Sequence, residues 1–408
     1  MLSADVIQGF SYQQACPACG LHLAFRFHEG HQQPLATLGW PTSAQAAQKM
    51  ERLPLEFVRC VQCGHIYNRA FDYQKVPYVL NPNRMYNQSQ LWQEHLNNIC
   101  EHIQRGLPQG ATAVEIGCGE GLLLQALAQR RPDLNLIGFD PNISPRALSE
   151  SITLRAELFD AASHLPEYHP DLLISRHVLE HLMNPRAFLQ YLQLACTFHQ
   201  QRPLLFIEVP CIDQALTDGR LEDFYYEHNS HFTQRSFQHL LQQTCDPILF
   251  AELGYGEEVI WGMGRLALQP EWLAHAEAAW FFSEQAKETQ KSMGAALDEL
   301  AQGNKPVIIW GGTGKSATFI NTFGADPERF PWVVDSDLGK VGTFVPGMGQ
   351  AICAPELLHT LGPAIILITT QWRAHDIVKE IHNQHLPYER ILVAHQGRLV
   401  DYPVKDIR

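Results

Sequence analysis

Through most of the chain, short apolar runs alternate with stretches of helical period. In the middle, TAVEI, LNLIGF, PDLLIS and LLFIEVP are largely aliphatic runs bounded by glycine, proline or aspartate, while LLLQALAQ and AFLQYLQLA between them place apolar residues three and four apart. Near-continuous apolar strands are buried on both faces, so this strand and helix alternation predicts a parallel, doubly wound α/β sheet. Ahead of it, SQLWQEHLNNICEHIQ carries Leu91, Leu96, Ile99 and Ile103 at helical spacing and predicts a helix leading into that sheet. The alternation resumes towards the C-terminus in VIIW, PWVVD, AIILITT and ILVAH, which predicts a second α/β domain of Rossmann-like construction. Between the two, PEWLAHAEAAWFFSEQAKETQKSMGAALDEL has no glycine or proline from Glu271 to Ser292 and predicts a long connecting helix. The pattern divides the chain into residues 1–75, 76–268, a helix over 269–303, and 304–408.

Composition narrows the class without altering that division. With 45% hydrophobic and 18% charged residues over 408 positions, the chain is a folded protein with room for more than one core, and neither disorder nor a collagen-like repeat fits. Basic residues number 30 against 43 acidic ones, and the net charge of −13 argues against a broad electrostatic footprint for nucleic acid. Any anionic ligand needs a local pocket. The opening MLSADVIQGFSYQQA lacks the basic and apolar regions of an export signal, and no run approaches the roughly eighteen uncharged apolar residues of a membrane helix. The expectation is a cytoplasmic protein with a small-molecule substrate and with no nucleic-acid or membrane partner.

Four of the ten cysteines fall in two C-x-x-C-G strings, Cys16 and Cys19 in CPACG and Cys60 and Cys63 in CVQCG. Four soft thiolates suit a closed tetrahedral zinc site that stabilises a small fold and leaves no open position for catalysis. Forty residues separate Cys19 from Cys60, with an insertion expected around Trp40 to Met50, and His22 and His65 are spare ligands. The other six cysteines stand alone and receive no role, since small buried thiols are common in cores.

The run VEIGCGEG ends the first central strand in Gly117, Gly119 and Gly121, and LLLQALA continues as helix. Such a loop can hold a dinucleotide pyrophosphate at the helix N-terminus or the amino-acid part of S-adenosylmethionine. Two features favour S-adenosylmethionine: acidic Glu115 lies within the strand, and the spacing is G-x-G-x-G where the dinucleotide fingerprint has G-x-G-x-x-G. Nineteen residues after Gly121, LNLIGFD ends at Asp140, placed to accept hydrogen bonds from ribose hydroxyls in either cofactor class.

In the last domain Gly312, Gly314 and Ala317 form G-x-G-x-x-A, with Asp335 twenty-three residues after Gly312, which is formally a dinucleotide fingerprint. The GKS string there lacks the first glycine of a Walker A loop, because Ile309 stands five before Gly314, so ATP hydrolysis is not expected. A substrate phosphate at this helix N-terminus, with Lys315 adding charge, is favoured over NAD, and a purely structural domain is the alternative.

His177, Glu180 and His181 in HVLEH spell H-x-x-E-H, the inverted zinc-peptidase pattern. The string follows a strand, however, and Pro185 comes four residues after His181, leaving little helix to bring two histidines to one metal. His181 is better assigned to an acceptor pocket. Between the strand LLFIEVP and the helix TQRSFQHLLQQT, the segment LEDFYYEHNSHF gathers Tyr225, Glu227, His228 and His231 into seven residues near the C-terminal ends of the strands, where α/β sheets place ligands. Histidine titrates near neutral pH, and a neighbouring carboxylate can orient it as a base.

The strings VEIGCGEG, IGFD and DLLISRHVLEHL resemble those of class I S-adenosylmethionine-dependent methyltransferases. The resemblance implies a methionine-binding loop with Glu115, Gly117, Gly119 and Gly121, a ribose-binding Asp140, and Asp160 in ELFDA near the adenine. Over nearly the whole chain it narrows to the three-domain sugar C-methyltransferases, which act on nucleotide-linked keto-deoxysugars and join an N-terminal zinc-binding domain, a central methyltransferase and a C-terminal Rossmann-like domain. Their tyrosine-x-glutamate-histidine motif is similar to Tyr225, Glu227 and His228, their histidine after the fourth strand to His181, and their N-terminal-side tyrosine followed by serine to Tyr86 in YNQS. The sequence departs at His231, where that family usually shows tyrosine before phenylalanine, and at GGTGKSA, where G-x-G-A-x-x-K is usual. His231, Gly312, Gly314 and Lys315 are therefore candidates on the substrate side. The expected reaction is methyl transfer to a carbon beside a ketone, with His228 as base, Glu227 orienting it, and His181, Tyr225 and Tyr86 holding the sugar or steadying the enolate. Which histidine takes the proton stays open, as do transfer to oxygen or nitrogen and a noncatalytic S-adenosylmethionine-binding module.

Overall fold

The computed structural model describes residues 9–11, 14–78, 87, 89–143 and 146–403. They form two compact units, Met1–Leu273 and Ala274–Arg408. The first holds two sheets and the second holds one.

The N-terminal sheet is antiparallel and grows from the two cysteine turns. In each turn the glycine N–H returns to the first cysteine carbonyl, Gly20 to Cys16 at 2.8 Å and Gly64 to Cys60 at 3.0 Å. Much of the long spacing between the pairs is a hairpin of strands Ala24–Gln33 and Leu53–Cys60. The expected insertion is a short helix, Ala44–Gln48, capped by the Ser43 hydroxyl. Strand Ile66–Asn68 follows, and the strand beyond it, Ser230–His231, comes from far along the chain, with Ser230 opposite Tyr67 and His231 opposite Ile66. Leu55, Phe57 and Ile66 share one core with Phe224 and Tyr226, so the aromatic loop of the central region packs on this sheet.

The central sheet has five parallel strands in the order Leu204–Pro210, Leu172–Arg176, Thr112–Ile116, Asn135–Phe139 and Ile152–Arg155. Its antiparallel margins, Cys245–Gly254 with Val259–Leu266 on one side and Arg146–Ser149 on the other, are an addition to the all-parallel expectation. Thr112–Ile116 lies between the second and fourth of the parallel strands in chain order, so the loops leaving its C-terminal end and that of Leu172–Arg176 part around a crevice. The helix Gln90–Gly106 buries Trp92, His95, Ile99, Cys100 and Ile103. Leu91, expected on that stripe, is 51% exposed, because a buried position at Trp92 puts its neighbour about 100° around the helix.

In the second unit, strands Ile352–Cys353, Trp332–Val334, Val307–Trp310, Ala364–Ile368 and Tyr388–His395 run parallel in that order, and Arg398–Asp401 closes a hairpin at the margin. The long helix is Pro270–Gln302; its Met293 and Leu297 join Ile309, Phe319 and Phe330 in the core of this unit. Among the described residues no helix is long and apolar enough to cross a membrane.

Candidate active site

Cys16, Cys19, Cys60 and Cys63 converge, with all four sulfurs within 4.8 Å of one another, and none is in a disulfide. Cys16 Sγ is 3.6 Å from Cys63 Sγ, and Cys19 Sγ is 3.5 Å from Cys60 Sγ. Sulfurs about 2.3 Å from a tetrahedral zinc sit roughly 3.8 Å apart, so the cluster fits that ion with little movement. His65 is not one of the four: its Nε2 lies 3.2 Å from the Ser230 hydroxyl, and burial lowers its pKa to about 3.

The first glycine loop leaves strand Thr112–Ile116 and enters helix Leu122–Arg130. Gly117 has φ 75° and Gly119 has φ 50°, backbone that favours glycine. A Cβ on Gly117 would meet Val178 Cγ2 at 2.4 Å, whereas one on Gly119 would enter open space. Gly121, at φ 74°, ends the loop as the helix N-cap. The Gly119 N–H donates to Asp140 Oδ2 at 3.0 Å, which ties the loop to the end of the next strand. Glu115 is buried, and its Oε2 has no hydrogen-bond partner among the described residues. Burial raises its pKa to about 7; Arg176 opposes that shift, while Glu208 and Asp140 add to it. An orphaned carboxylate oxygen and an open position above Gly119 fit a ligand with an ammonium group, as the methionine part of S-adenosylmethionine has. The Asp160 carboxylate caps helix Ala161–Tyr168, accepting from the Ser163 N–H at 3.2 Å and its hydroxyl at 2.5 Å.

Behind this loop lies a charge network absent from the sequence-based expectation. Glu208, fully buried, stands opposite Arg176 on the neighbouring strand and accepts from its Nε at 3.0 Å and Nη2 at 2.8 Å. His95 Nε2 lies 2.6 Å from the other Glu208 oxygen, and His177 Nε2 lies 3.0 Å from the first. Burial opposes the Glu208 charge, but Arg176, His177 and His95 outweigh it and hold the carboxyl well below its ordinary pKa. Burial likewise opposes charge on His177, yet Glu180 and Glu208 raise its pKa to about 9. The signal was present in the sequence as an acidic residue inside the apolar run LLFIEVP.

After strand Leu172–Arg176, Leu179–His181 is one 3₁₀ turn, so the H-x-x-E-H string does not lie along an α-helix. His181 Nδ1 donates to the Glu227 backbone carbonyl at 2.9 Å and lies 3.1 Å from the Tyr78 hydroxyl, which donates to the same carbonyl at 2.5 Å. The ring of His228 is 4.9 Å from that of His181 and 4.4 Å from that of Tyr225. The Tyr225 hydroxyl is 2.8 Å from His228 Nε2. Loss of water around His228, then His181, His231 and His177, hold its pKa well below the ordinary value, so the ring is neutral near pH 7. Burial raises the Tyr225 and Tyr78 phenols, which stay protonated there.

Two expectations change. Glu227 does not hold His228 by a hydrogen bond; its Oε1 accepts from the N–H groups of Thr37 at 2.7 Å and Leu38 at 3.0 Å and from the Thr37 hydroxyl at 3.2 Å, because the N-terminal sheet brings that loop over it. His231, expected to meet substrate, packs between Phe57 at 5.2 Å and Phe224 at 4.9 Å, and burial lowers its pKa to about 3. Tyr86 lies outside the described residues. Tyr78, passed over in the sequence, lies beside His181, and no spacing signal marked it.

In the second unit the Gly312 N–H donates to Asp335 Oδ2 at 3.2 Å, as Gly119 does to Asp140, and Lys340 Nζ is 3.4 Å from the same oxygen. Gly314 is the N-cap of helix Lys315–Thr322, and the Lys315 ammonium lies 4.0 Å from the centre of the Trp372 ring, a cation–π contact.

Residues 90–244 match the family model of a methyltransferase domain, and residues 272–393 match that of a C-methyltransferase C-terminal domain. No curated protein matches the chain. Among solved structures, it is similar to N-methyltransferase NodS from Bradyrhizobium japonicum WM9, at 14% identity over 46% of this chain and 94% of that one, with a TM-score of 0.32. It is similar also to a SAM-dependent methyltransferase from Aquifex aeolicus, at 13% identity over 48% of this chain and 100% of that one, with a TM-score of 0.32. The central sheet opening on a glycine loop that fits the methyl donor, and the two family matches that fall on the two units in turn, lead to one conclusion: this chain is an S-adenosylmethionine-dependent methyltransferase with a C-methyltransferase C-terminal domain.

Proposed function

We propose that the protein methylates a carbon adjacent to a ketone, on a nucleotide-linked deoxysugar, and that His228 is the base. The observation that carries this reading is the neutral His228 hydrogen-bonded to Tyr225 and set edge-on to His181. A neutral imidazole takes the proton from the activated carbon, and Tyr225 keeps the ring in place. Tyr86 supplies a donor for the enolate oxygen, while Tyr78 and His181, whose protons go to the Glu227 carbonyl, shape the pocket beside it. When bound, S-adenosylmethionine supplies an electrophilic methyl on a sulfonium sulfur. Glu115, Gly117, Gly119 and Gly121 would hold its amino-acid part, and Asp140 its ribose. The donor would give that methyl to the deprotonated carbon, its sulfur keeping the electron pair of the broken C–S bond.

In this reading zinc occupies the four cysteines and is structural. Glu227 acts as a positioning residue that fastens the Thr37–Leu38 loop beneath the acceptor pocket. The test uses nucleotide-linked keto-deoxysugars with methyl-labelled donor in deuterated water. Label on carbon that survives acid hydrolysis, with substrate deuteration lost in His228→Ala, is expected. Label on oxygen or nitrogen would redirect the reading to the corresponding transferase, and tight donor binding without any transfer would support a binding module.

A further inference from the structure

We infer that Glu180, His181 and His228 form a second metal site, distinct from the four cysteines, which takes a divalent first-row cation such as zinc and silences the base when filled. One donor atom from each of the three residues lies within 4.8 Å of the others. Two imidazoles and a carboxylate are a donor set that such ions accept, and three protein ligands leave positions open for water or substrate oxygen.

Two further observations point to a cation. Glu180 is 2% exposed, and its Oε2 has no hydrogen-bond partner among the described residues, while its Oε1 is 3.4 Å from His177 Nδ1. A buried carboxylate oxygen without a donor is destabilising, and a metal ion relieves it. His181 Nδ1 donates to the Glu227 carbonyl at 2.9 Å, which fixes the ring. An outer hydrogen bond of this kind is how metal-binding histidines are oriented. His177, although part of the H-x-x-E-H string, is outside the cluster, with its Nε2 3.0 Å from Glu208. The third ligand comes instead from His228, across the fold.

A lone pair given to a metal cannot accept a proton. Filling this site therefore blocks proton abstraction, so that one equivalent of zinc sustains the N-terminal sheet and a second inhibits. That inhibition rests on His228 being the base; the binding does not.

The test titrates full-length protein, already carrying one zinc at the cysteines, with Co²⁺, followed by calorimetry and by its visible spectrum. A second equivalent without a thiolate charge-transfer band is expected, weakened at least about tenfold in both Glu180→Gln and His228→Gln. Retention of the cysteine-bound equivalent in both variants shows that they remain folded. Absence of a second equivalent in the parent protein, or one unchanged in both variants, overturns the site. Zinc at the second equivalent should then abolish methyl transfer, and brief chelation should restore it with the cysteine zinc retained. Binding without inhibition would overturn the silencing and count against His228 as base, with the site itself still standing.

Discussion

At Glu227 a carboxylate two residues from Tyr225 and next to His228 accepts three hydrogen bonds from Thr37 and Leu38. Glu227→Ala leaves two backbone N–H groups without their acceptor, and we expect a loss of about 1–3 kcal/mol in unfolding free energy, measured in urea. An unchanged midpoint with a collapsed kcat would return Glu227 to a purely chemical role. With His228 as the proposed base, this residue is expected to set the pH dependence. Its folded pKa lies below the ordinary 6.5, so the base-competent neutral ring dominates above that value and is lost only as pH falls through the lower, folded pKa. The acid limb of kcat/KM is accordingly expected below pH 6.5. A limb centred at or above 6.5 that persists in Tyr225→Phe would assign the proton transfer to another group.

Between elements, the pair of Glu208 with Arg176 joins adjacent parallel strands, and His95 fastens the helix Gln90–Gly106 to the same carboxylate. Removing one partner of a buried ion pair strands the other. Glu208→Leu should therefore destabilise by about 3–5 kcal/mol, and adding Arg176→Met should recover part of that loss. Equal unfolding midpoints for the single and double variants would show that the two charges are not coupled. The helix itself illustrates what periodicity conveys: its existence follows from apolar spacing, but the buried stripe turns on Trp92 and His95, and a histidine is not counted as apolar.

At the scale of the whole molecule, the N-terminal sheet is integral to the loop that carries Tyr225 and His228. It takes Ser230–His231 as a strand and holds Glu227 through Thr37 and Leu38. Breaking the cysteine cluster with Cys60→Ser should abolish methyl transfer while leaving S-adenosylmethionine binding at the glycine loop within about a factor of ten, since that loop is built on the central sheet. Calorimetry with the donor beside an activity assay checks this, and joint loss of both would mean that the central sheet depends on the metal.

Four of the five parallel strands in each α/β sheet, the long helix, the glycine loop with Glu115 and Asp140, and the cysteine pairs were legible in the sequence. Each is written within a few residues: a run of aliphatic side chains, a G-x-G turn, two thiols on one turn. The tertiary structure decided what depends on contacts across long stretches of chain. It turned Glu227 towards Thr37, enclosed His231 between Phe57 and Phe224, set Tyr78 beside His181, and paired Arg176 with Glu208. Local pattern records backbone preference and the side that faces a core, while the partner of a buried polar group is chosen by the packing of elements distant in the chain, where only a satisfied hydrogen bond offsets the loss of water.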